Sequence, residues 1–340
     1  MRYRFYTTSA KAWEGMLGAI TTASSSIYME MYIFSDDTAG YNFLSELERK
    51  AHEGLRVIVV LDAIGSFDLS RAAIERLRAA GAEVRFFSYW LRRTHRKILI
   101  IDEHVAFLGG VNISKRFELW NDLQVRVSGG VVKHILQSFI RVYHECGGHN
   151  PVFARNTRIP LIKRTRLWFI EHGVTGKRAT LRKHYEEHIN EAKHSIVLVT
   201  PYLIPRRWLV ARLHQALLRG VVVEILVPLH TDLKVTDDLN RYYFQIFEKM
   251  GARCLWLKEM NHAKVMLIDD RVGTVGSQNL DALSFDWNTE AGIFFDEPKM
   301  VHKLTLIVAS WKASAFLFDS ASIAALHWYE LIFMWFVRKL

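Results

Sequence analysis

Residues 95–102 read HRKILIID and residues 262–269 read HAKVMLID, so both segments match the pattern H-x-K-x4-D. The second copy begins 167 residues after the first. Small residues and an asparagine follow each copy at the same distance, as GGVN at 109–112 and GSQN at 276–279. One such motif is a weak signal, but two copies with matched trailing residues indicate an internal duplication.

Matched apolar runs extend this duplication over most of the chain. They lie at 26–34, 57–61 and 84–87 in the first half, and at 195–204, 221–227 and 254–257 in the second. Amphipathic helical patterns lie between them at 41–53, 69–80, 208–218 and 239–250. This alternation predicts an α/β fold of two duplicated domains related by a pseudo-two-fold axis. We expect sheets that are largely parallel at their centres, with the motif strands in hairpins.

The duplication and the composition together predict the domain boundaries. We assign residues 1–150 to a first domain, 151–180 to a basic linker, 181–320 to a second domain and 321–340 to an amphipathic C-terminal helix. The linker is either a solvated face or a contact for an anionic surface. Because each half carries only half of the polar set, we expect the active site at the interface of the two domains.

The composition favours anionic partners. The 340 residues are 50% hydrophobic and have a formal net charge of +10, which suits phospholipid surfaces, nucleic acid or phosphorylated substrates alike. Two cysteines exclude a disulfide framework. The N-terminus lacks the apolar region of a signal peptide, and no uncharged apolar run reaches the roughly 18 residues of a spanning helix. We therefore expect a cytoplasmic protein that is peripheral on the inner face of the cell membrane.

The spacing inside the motif separates reacting groups from supporting ones. His95 and Lys97 are two residues apart in a predicted strand, so their side chains share one face. Asp102 has the opposite parity and falls where the apolar run ends, as Asp269 does in the second copy. We therefore expect both aspartates to be turn residues or supporting groups that bond nearby backbone N–H groups.

Two halves that face each other supply a set of polar groups suited to a phosphodiester. One histidine attacks phosphorus to form a phospho-histidine, and the other protonates the leaving alcohol and then deprotonates the incoming one. Lysines and asparagines stabilise the charge on the non-bridging oxygens, so we expect no metal and no other cofactor. The predicted catalytic set is His95, Lys97, Asn112, His262, Lys264 and Asn279.

A histidine that reacts with phosphorus benefits from a carboxylate on its far nitrogen, which sets the tautomer and raises the basicity. Asp122 lies 27 residues after His95, and Glu290 lies 28 residues after His262. These near-equal distances make the two carboxylates the best candidates for that role. The alternative is that they are ordinary surface carboxylates.

The paired motif resembles the phospholipase D superfamily, and within it the chain is most similar to bacterial cardiolipin synthases. Three further segments carry the resemblance: IYMEMYIFSDD at 27–37, TPYLIP at 200–205 and GSQNLDALSF at 276–285. The resemblance covers residues 28–295. It implies that two phosphatidylglycerols give cardiolipin and glycerol, with His95 as the nucleophile and His262 as the acid and base. Symmetry alone leaves that order open.

Other functions remain compatible with the residues. Many cardiolipin synthases carry N-terminal transmembrane helices, so this chain is either a peripheral member or has a different substrate. A phospholipase D-type hydrolase and a sequence-independent nuclease are the main alternatives. Arg92, Arg93 and Arg96 would bind lipid headgroups or a nucleic-acid backbone, or form a solvated rim. A non-catalytic lipid-binding module is disfavoured by the intact histidine pair, and we do not expect nucleic acid as a partner.

Two segments outside the motif have alternative interpretations. Residues 323–340 end in an aromatic run followed by Arg338 and Lys339, which suits either an interfacial helix or a helix docked on the core. Residues 184–188 read HYEEH and match the H-x-x-E-H pattern of some zinc proteases. The first half has no counterpart, so we expect an exposed helix face there rather than a zinc site.

Overall fold

Two mixed β-sheets, one from each half of the chain, form the framework of the protein. The computed structural model describes residues 2–36, 40–155, 166–173 and 180–319. The first half has the order β1 (Tyr3–Thr8), α1 (Ser9–Thr21), β2 (Ser26–Met31), α2 (Phe43–His52), β3 (Arg56–Asp62), α3 (Arg71–Ala79), β4 (Glu83–Phe87), β5 (Lys97–Ile101), β6 (Val105–Gly109), β7 (Asn121–Ser128) and α4 (Val131–Glu145).

The second half repeats this order. Its elements are β8 (Leu167–His172), α5 (Thr180–Glu191), β9 (Ser195–Val199), β10 (Leu203–Ile204), α6 (Arg207–Leu218), β11 (Val222–Pro228), α7 (Lys234–Lys249), β12 (Arg253–Leu257), β13 (Val265–Ile268), β14 (Val272–Gly276), β15 (Leu280–Asp281), β16 (Glu290–Phe295), α8 (Pro298–Lys312) and β17 (Phe316–Leu317). The short strands β10, β15 and β17 are additional to the order that the two halves share. The duplicated α/β architecture predicted from the repeats is confirmed.

The strand order is the same in both sheets. It is β1-β7-β6-β5-β2-β3-β4 in the first, and β8-β16-β14-β13-β9-β11-β12-β17 in the second. Strands β2, β3 and β4 are parallel, but β5, at the centre, is antiparallel to β2. The prediction of a largely parallel centre is therefore wrong. The chain returns from β4 to β5 through a loop at the same edge, with no crossover helix, so β5 runs in the opposite direction.

The predicted linker is partly a strand. Residues 167–172 form β8, which pairs antiparallel with β16 as β1 pairs with β7. Trp168 packs against Phe294 at 6.3 Å between ring centroids. Although the sequence around this segment is basic, the segment is a strand that extends the second sheet through backbone hydrogen bonds to β16. The rest of the predicted linker and the predicted C-terminal helix lie largely outside the described residues, at 156–165, 174–179 and 320–340.

Helices α4 and α8 lie in a core that is shared by the two halves. This core combines Phe139 of α4 and Leu304 of α8 with residues of both sheets, such as Ile98 and Val265. Helices α1–α3 cover the other face of the first sheet, and α5–α7 cover the other face of the second. In the described ranges, no helix is both long and apolar enough to cross a bilayer.

Candidate active site

The two motif histidines lie where the parallel strands of their sheets end. Met31, the last residue of β2, pairs with Lys97, and Val199, the last residue of β9, pairs with Val265. We call this the active-site edge of each sheet. Because β5 and β13 begin there, the histidine and the lysine of each motif lie at that edge. Both histidines are buried.

Backbone hydrogen bonds across the interface join each histidine to the segment that precedes the opposite carboxylate. The N–H of His95 donates to the carbonyl of Thr289 at 3.0 Å, and the N–H of His262 donates to the carbonyl of Asn121 at 2.7 Å. Thr289 immediately precedes Glu290, just as Asn121 precedes Asp122. Each half therefore positions a carboxylate beside the histidine of the other half.

The side chains show the same crossed arrangement. Nδ1 of His95 is 3.0 and 3.2 Å from the two carboxylate oxygens of Glu290. Nδ1 of His262 is 2.9 Å from Oδ2 of Asp122. Both carboxylates are only 1% exposed, which contradicts the alternative of ordinary surface groups. Because Nδ1 is engaged in each ring, Nε2 is the nitrogen that remains for chemistry.

Burial and neighbouring charges shift the pKa values of these groups. Burial lowers the pKa of His95 against the opposing effect of Glu290. Burial and Lys264 lower the pKa of His262 to about 4, although Asp122 acts the other way. Burial acts to raise the pKa of Glu290, but His95 and Lys97 outweigh it and lower that pKa to about 2. At neutral pH the site therefore holds two neutral histidines and two carboxylates.

The lysines of the two motifs act on each other across the interface. Burial, and next the charge of Lys264, lower the pKa of Lys97 well below its usual value. Burial lowers the pKa of Lys264 to about 8, while Asp122 and Glu290 act to raise it. Nζ of each lysine donates to the carbonyl of its own motif histidine at 2.5 Å. An anionic ligand would favour the protonated form of both lysines.

The two asparagines are buried, whereas the two motif aspartates lie in the hairpin turns. Asn112 and Asn279 are buried, and neither Oδ1 has a hydrogen-bond partner among the residues that the structure describes. Asp102 lies in the β5–β6 turn and accepts the N–H groups of Ser24, Ser25 and Ser26. Asp269 lies in the β13–β14 turn and accepts the matching N–H groups of residues 193–195. Both aspartates lie far along the strand from the histidines.

A serine breaks the symmetry between the half-sites. The hydroxyl of Ser277 donates to Glu290, whereas the matched position in the first half is Gly110. A Cβ atom at Gly110 would lie 2.2 Å from Oδ1 of Asp122. The first half therefore requires glycine where the second half uses a hydroxyl to hold its carboxylate.

The three arginines near the first motif do not form a free basic patch. Arg96 is fully buried and lies 3.3 Å from Glu30, which is also fully buried. Arg92 is paired with Glu145, and Arg93 donates to the backbone carbonyls of residues 89, 90 and 92. The segment that leads from His95 into β5 is buried, so Glu30 faces the charge of Arg96 inside the fold. The predicted patch is wrong at this residue.

The H-x-x-E-H segment lies on α5, as predicted, but is not fully exposed. The rings of His184 and His188 both pack against Phe294 at 5.5 Å. Nδ1 of His188 lies 2.8 Å from the carbonyl oxygen of His184. Across the described parts of the chain, no group of three or more His, Cys, Asp or Glu residues could hold a metal ion.

Comparison with known proteins identifies the family. The sequence model of the cardiolipin synthase, phospholipase D-like domain family matches residues 16–143 and 185–310. The chain belongs to this family. The two matches fall in the two halves of the duplicated fold, so each half is one phospholipase D-like domain.

Named cardiolipin synthases are similar over most of the chain. The cardiolipin synthase of Geobacillus kaustophilus is 30% identical over 318 residues, which cover 88% of this chain and 63% of that protein. A probable cardiolipin synthase of Bacillus subtilis is also 30% identical, over 84% of this chain and 61% of that protein. The chain thus spans slightly less than two thirds of the length of these cardiolipin synthases.

A solved structure shares the fold of this cardiolipin synthase-like chain. The crystal structure of phosphatidylserine synthase from Haemophilus influenzae superposes with a TM-score of 0.77 over 99% of this chain and 93% of that one. The sequence identity is 16%, so the likeness concerns the fold.

The sequence analysis missed two tyrosines of the site. The ring of Tyr32 packs edge-on against His95 at 4.9 Å and lies 4.9 Å from Nζ of Lys97. The ring of Tyr202 lies 6.2 Å from His262. Both tyrosines follow matched strands, β2 and β9, inside segments that carry the resemblance to cardiolipin synthases. Tyr32 is the first residue after β2 and Tyr202 is the third after β9, so the available signal was an aromatic residue close to each matched strand end.

Proposed function

We propose that this chain transfers a phosphatidyl group from one phosphatidylglycerol to another, with release of cardiolipin and glycerol. The observation that carries the proposal is the buried pair of histidines, each held at Nδ1 by a carboxylate from the opposite half, with the buried Lys97 and Lys264 in the same site. The similarity to cardiolipin synthases over most of the chain supports the choice of substrate.

The first step forms a phospho-histidine. Nε2 of His95 attacks phosphorus and the bond from phosphorus to the glycerol headgroup oxygen breaks. His262 takes up a proton when the phosphate anion of the bound lipid raises its pKa, and it gives this proton from Nε2 to the leaving oxygen. Lys97 and Lys264 neutralise the non-bridging oxygens, and the two asparagines add hydrogen bonds as charge develops. Glu290 stabilises the positive charge that His95 acquires.

The second step reverses the roles around phosphorus. A headgroup hydroxyl of a second phosphatidylglycerol loses its proton to His262 and attacks phosphorus. The bond between phosphorus and His95 breaks and cardiolipin leaves. One ester bond has replaced another, so the sum is two phosphatidylglycerols converted into cardiolipin and glycerol.

The proposed partner is an anionic phospholipid at a membrane surface. The net charge of +10 supports this choice, because it favours an anionic surface. We place the protein in the cytoplasm, peripheral on the inner face of the cell membrane, and we do not propose nucleic acid as a substrate.

Incubation with headgroup-labelled phosphatidylglycerol in detergent tests the reaction. We expect cardiolipin and free glycerol in equal amounts, with EDTA present. Phosphatidic acid as the sole lipid product would identify a hydrolase instead. Degradation of single-stranded DNA with the lipid untouched would overturn the lipid assignment.

A substrate with a reactive leaving group distinguishes the roles of the two histidines. Nitrophenolate leaves without a proton, so His262→Ala should still release one equivalent of nitrophenol per enzyme from phosphatidyl-p-nitrophenol. His95→Ala should release none, and both variants should be inactive on phosphatidylglycerol. The opposite pattern would make His262 the nucleophile, and near-full activity of either variant would refute the two-histidine mechanism.

A further inference from the structure

Exposed apolar side chains are concentrated in the loops at the active-site edges of the two sheets. Six of them lie in five different loops, two in the second half and four in the first. Their exposure reaches 92% at Leu119 and 88% at Trp90. We call these six residues the apolar rim: Phe67, Trp90, Leu91, Leu119, Leu233 and Leu283.

Three of these five loops also lead to catalytic groups. Trp90 and Leu91 lie in the β4–β5 loop that leads to His95, and Leu119 lies three residues before Asp122. Leu283 lies four residues after Asn279. The apolar rim therefore lies at the edge of the sheets that carries the histidine pair rather than on a remote surface.

The opposite edges of the sheets differ. There the connections are short turns such as those at Asp102 and Asp269, whose charged groups bond the backbone. Leu218 and Val222 flank one of these turns and are the large apolar residues exposed at that edge among those described. An apolar rim confined to one side marks an interaction surface, because scattered single residues would appear at both edges.

We propose that the apolar rim inserts into the interface of an anionic phospholipid bilayer and holds the active site against the headgroups. This inference rests on the proposed function. The scissile phosphodiester of a bilayer lipid lies at headgroup depth, and amphipathic protein surfaces bury their apolar groups about 5–10 Å into the boundary of headgroups and acyl chains. A rim around the site therefore places phosphorus near the histidines without removing the lipid from the membrane.

Charges of both signs lie beside the apolar rim. Exposed Arg116 lies near Leu119, and exposed Lys234 follows Leu233. Exposed acidic residues, Asp68 and Asp232, also lie in these loops, so apolar insertion contributes more than charge. The other possible occupant is a second copy of this chain, which the experiment below distinguishes.

The test is co-sedimentation with vesicles of phosphatidylglycerol and phosphatidylcholine. The rim variant combines Trp90→Gln with Leu119→Gln, and the control variant combines Leu218→Gln with Leu306→Gln at exposed sites away from that edge. Loss of two inserted side chains should lower the vesicle partition coefficient of the rim variant at least roughly tenfold. The control variant should bind like the wild type. Equal binding of all three proteins, or equal loss in both variants, would overturn the proposal.

A second measurement reports depth at one position. Leu119→Cys and Leu218→Cys each carry a polarity-sensitive dye, while burial raises the pKa of the native Cys146 and Cys254 thiols to about 12 and limits their labelling. We expect the emission at position 119 to shift to the blue when vesicles are added, with no shift at 218. A dimer of the wild type that the rim variant abolishes, with no vesicle-dependent shift, would show that a second copy covers the rim.

Activity in the absence of a membrane separates this inference from the proposed function. On a short-chain phosphatidylglycerol below its critical micelle concentration, the rim variant should turn over like the wild type. Its defect should appear only with vesicles. If neither protein acts on the monomeric lipid, the proposed function fails while vesicle binding still decides the role of the rim.

Discussion

At the residue scale, the defining feature of the site is that each histidine depends on the other half. Glu290 holds His95 and Asp122 holds His262, through contacts between residues 195 and 140 positions apart in the chain. The hydroxyl of Ser277 donates to Glu290, whereas Gly110 at the matched position has no hydroxyl for Asp122, so these two contacts are unequal. The two histidines therefore have distinct surroundings within a symmetric frame.

The crossed carboxylates predict different kinetic effects. Glu290→Gln should slow nitrophenol release from phosphatidyl-p-nitrophenol by roughly 100-fold or more, because the amide no longer stabilises positively charged His95. Asp122→Asn should slow turnover of phosphatidylglycerol strongly but affect nitrophenol release much less. Stopped-flow absorbance measures the first step. The exposed interface carboxylate of Glu259 provides the control Glu259→Gln, and an equal effect of all three changes would contradict the assignment.

The buried lysines predict a decline in activity at high pH. Burial lowers the pKa of Lys264 to about 8, so the protonated form that neutralises the phosphate is lost as pH rises through that value. We expect kcat/KM to fall more steeply above about pH 8 than below it, because both His262 and Lys264 must then gain a proton, whereas kcat should persist to higher pH because bound phosphate favours the charged lysine. A profile on a soluble diester from pH 5 to 10 measures both. Constant kcat/KM from pH 7 to 10 would contradict this account.

At the element scale, the hairpin turns explain why the motif ends in aspartate. Asp102 and Glu103 have φ values of 50° and 58°, and Asp269 and Asp270 have values of 52° and 49°. Ile101 pairs with Val105 and Ile268 pairs with Val272, so each hairpin loop has three residues. The first two residues of each loop adopt the left-handed conformation, which aspartate tolerates better than most residues. The carboxylate then bonds the start of β2 or β9 and ties the hairpin to its neighbouring strand.

Removal of this charge should lower stability in a pH-dependent way. Backbone N–H groups of Ser26, Ser24 and Ser25 outweigh the effect of burial and lower the pKa of Asp102 from 3.8 to about 2. The ionised form therefore stabilises the fold above about pH 4, and this contribution is lost as pH falls toward 2. Asp102→Asn should lower the free energy of unfolding at pH 7 by about 1 kcal/mol after allowance for solvent screening.

Urea unfolding between pH 3 and 7 measures this effect. The difference between wild type and Asp102→Asn should shrink below pH 4, whereas the exposed Asp68→Asn should match the wild type throughout. A difference that stays constant with pH would show that the carboxylate charge is not the stabilising group.

At the scale of the whole molecule, one core joins the two halves. Phe139 of α4 is fully buried in this core, where its ring stacks on Tyr28 at 5.6 Å. The core also contains residues of the second sheet and of α8. Because the active site needs groups from both halves, this shared packing controls the site as well as stability.

Truncation within this core should destabilise both halves together. Phe139→Ala should cost about 3–5 kcal/mol through lost burial and the cavity that remains. Calorimetry should show a single transition at a lower temperature, and the exposed Leu218→Ala should change it little. Two separate transitions, with only one of them shifted, would contradict a shared core.

Local patterns in the sequence were sufficient to predict much of the fold and of the candidate site. The duplicated motif, the apolar runs and the glycine-marked connections predicted the two α/β domains and the histidines and lysines that we propose as catalytic, because side-chain periodicity and motif spacing are local properties. Strand β8 was missed, because an edge strand is defined by its pairing with β16 rather than by its own composition. The antiparallel centre was missed because the direction of β5 depends on whether the β4–β5 connection stays at one edge of the sheet or crosses to the opposite edge.

How the two halves combine depends on tertiary contacts. The sequence predicted that two histidines and two carboxylates belong to one site, but equal spacings cannot show that Glu290 contacts His95 and Asp122 contacts His262. The burial of Arg96 and the gathering of the apolar rim at one edge also depend on the tertiary fold. The physical reason is that side chains distant in the chain meet only when the sheets have packed, and no local pattern records those contacts.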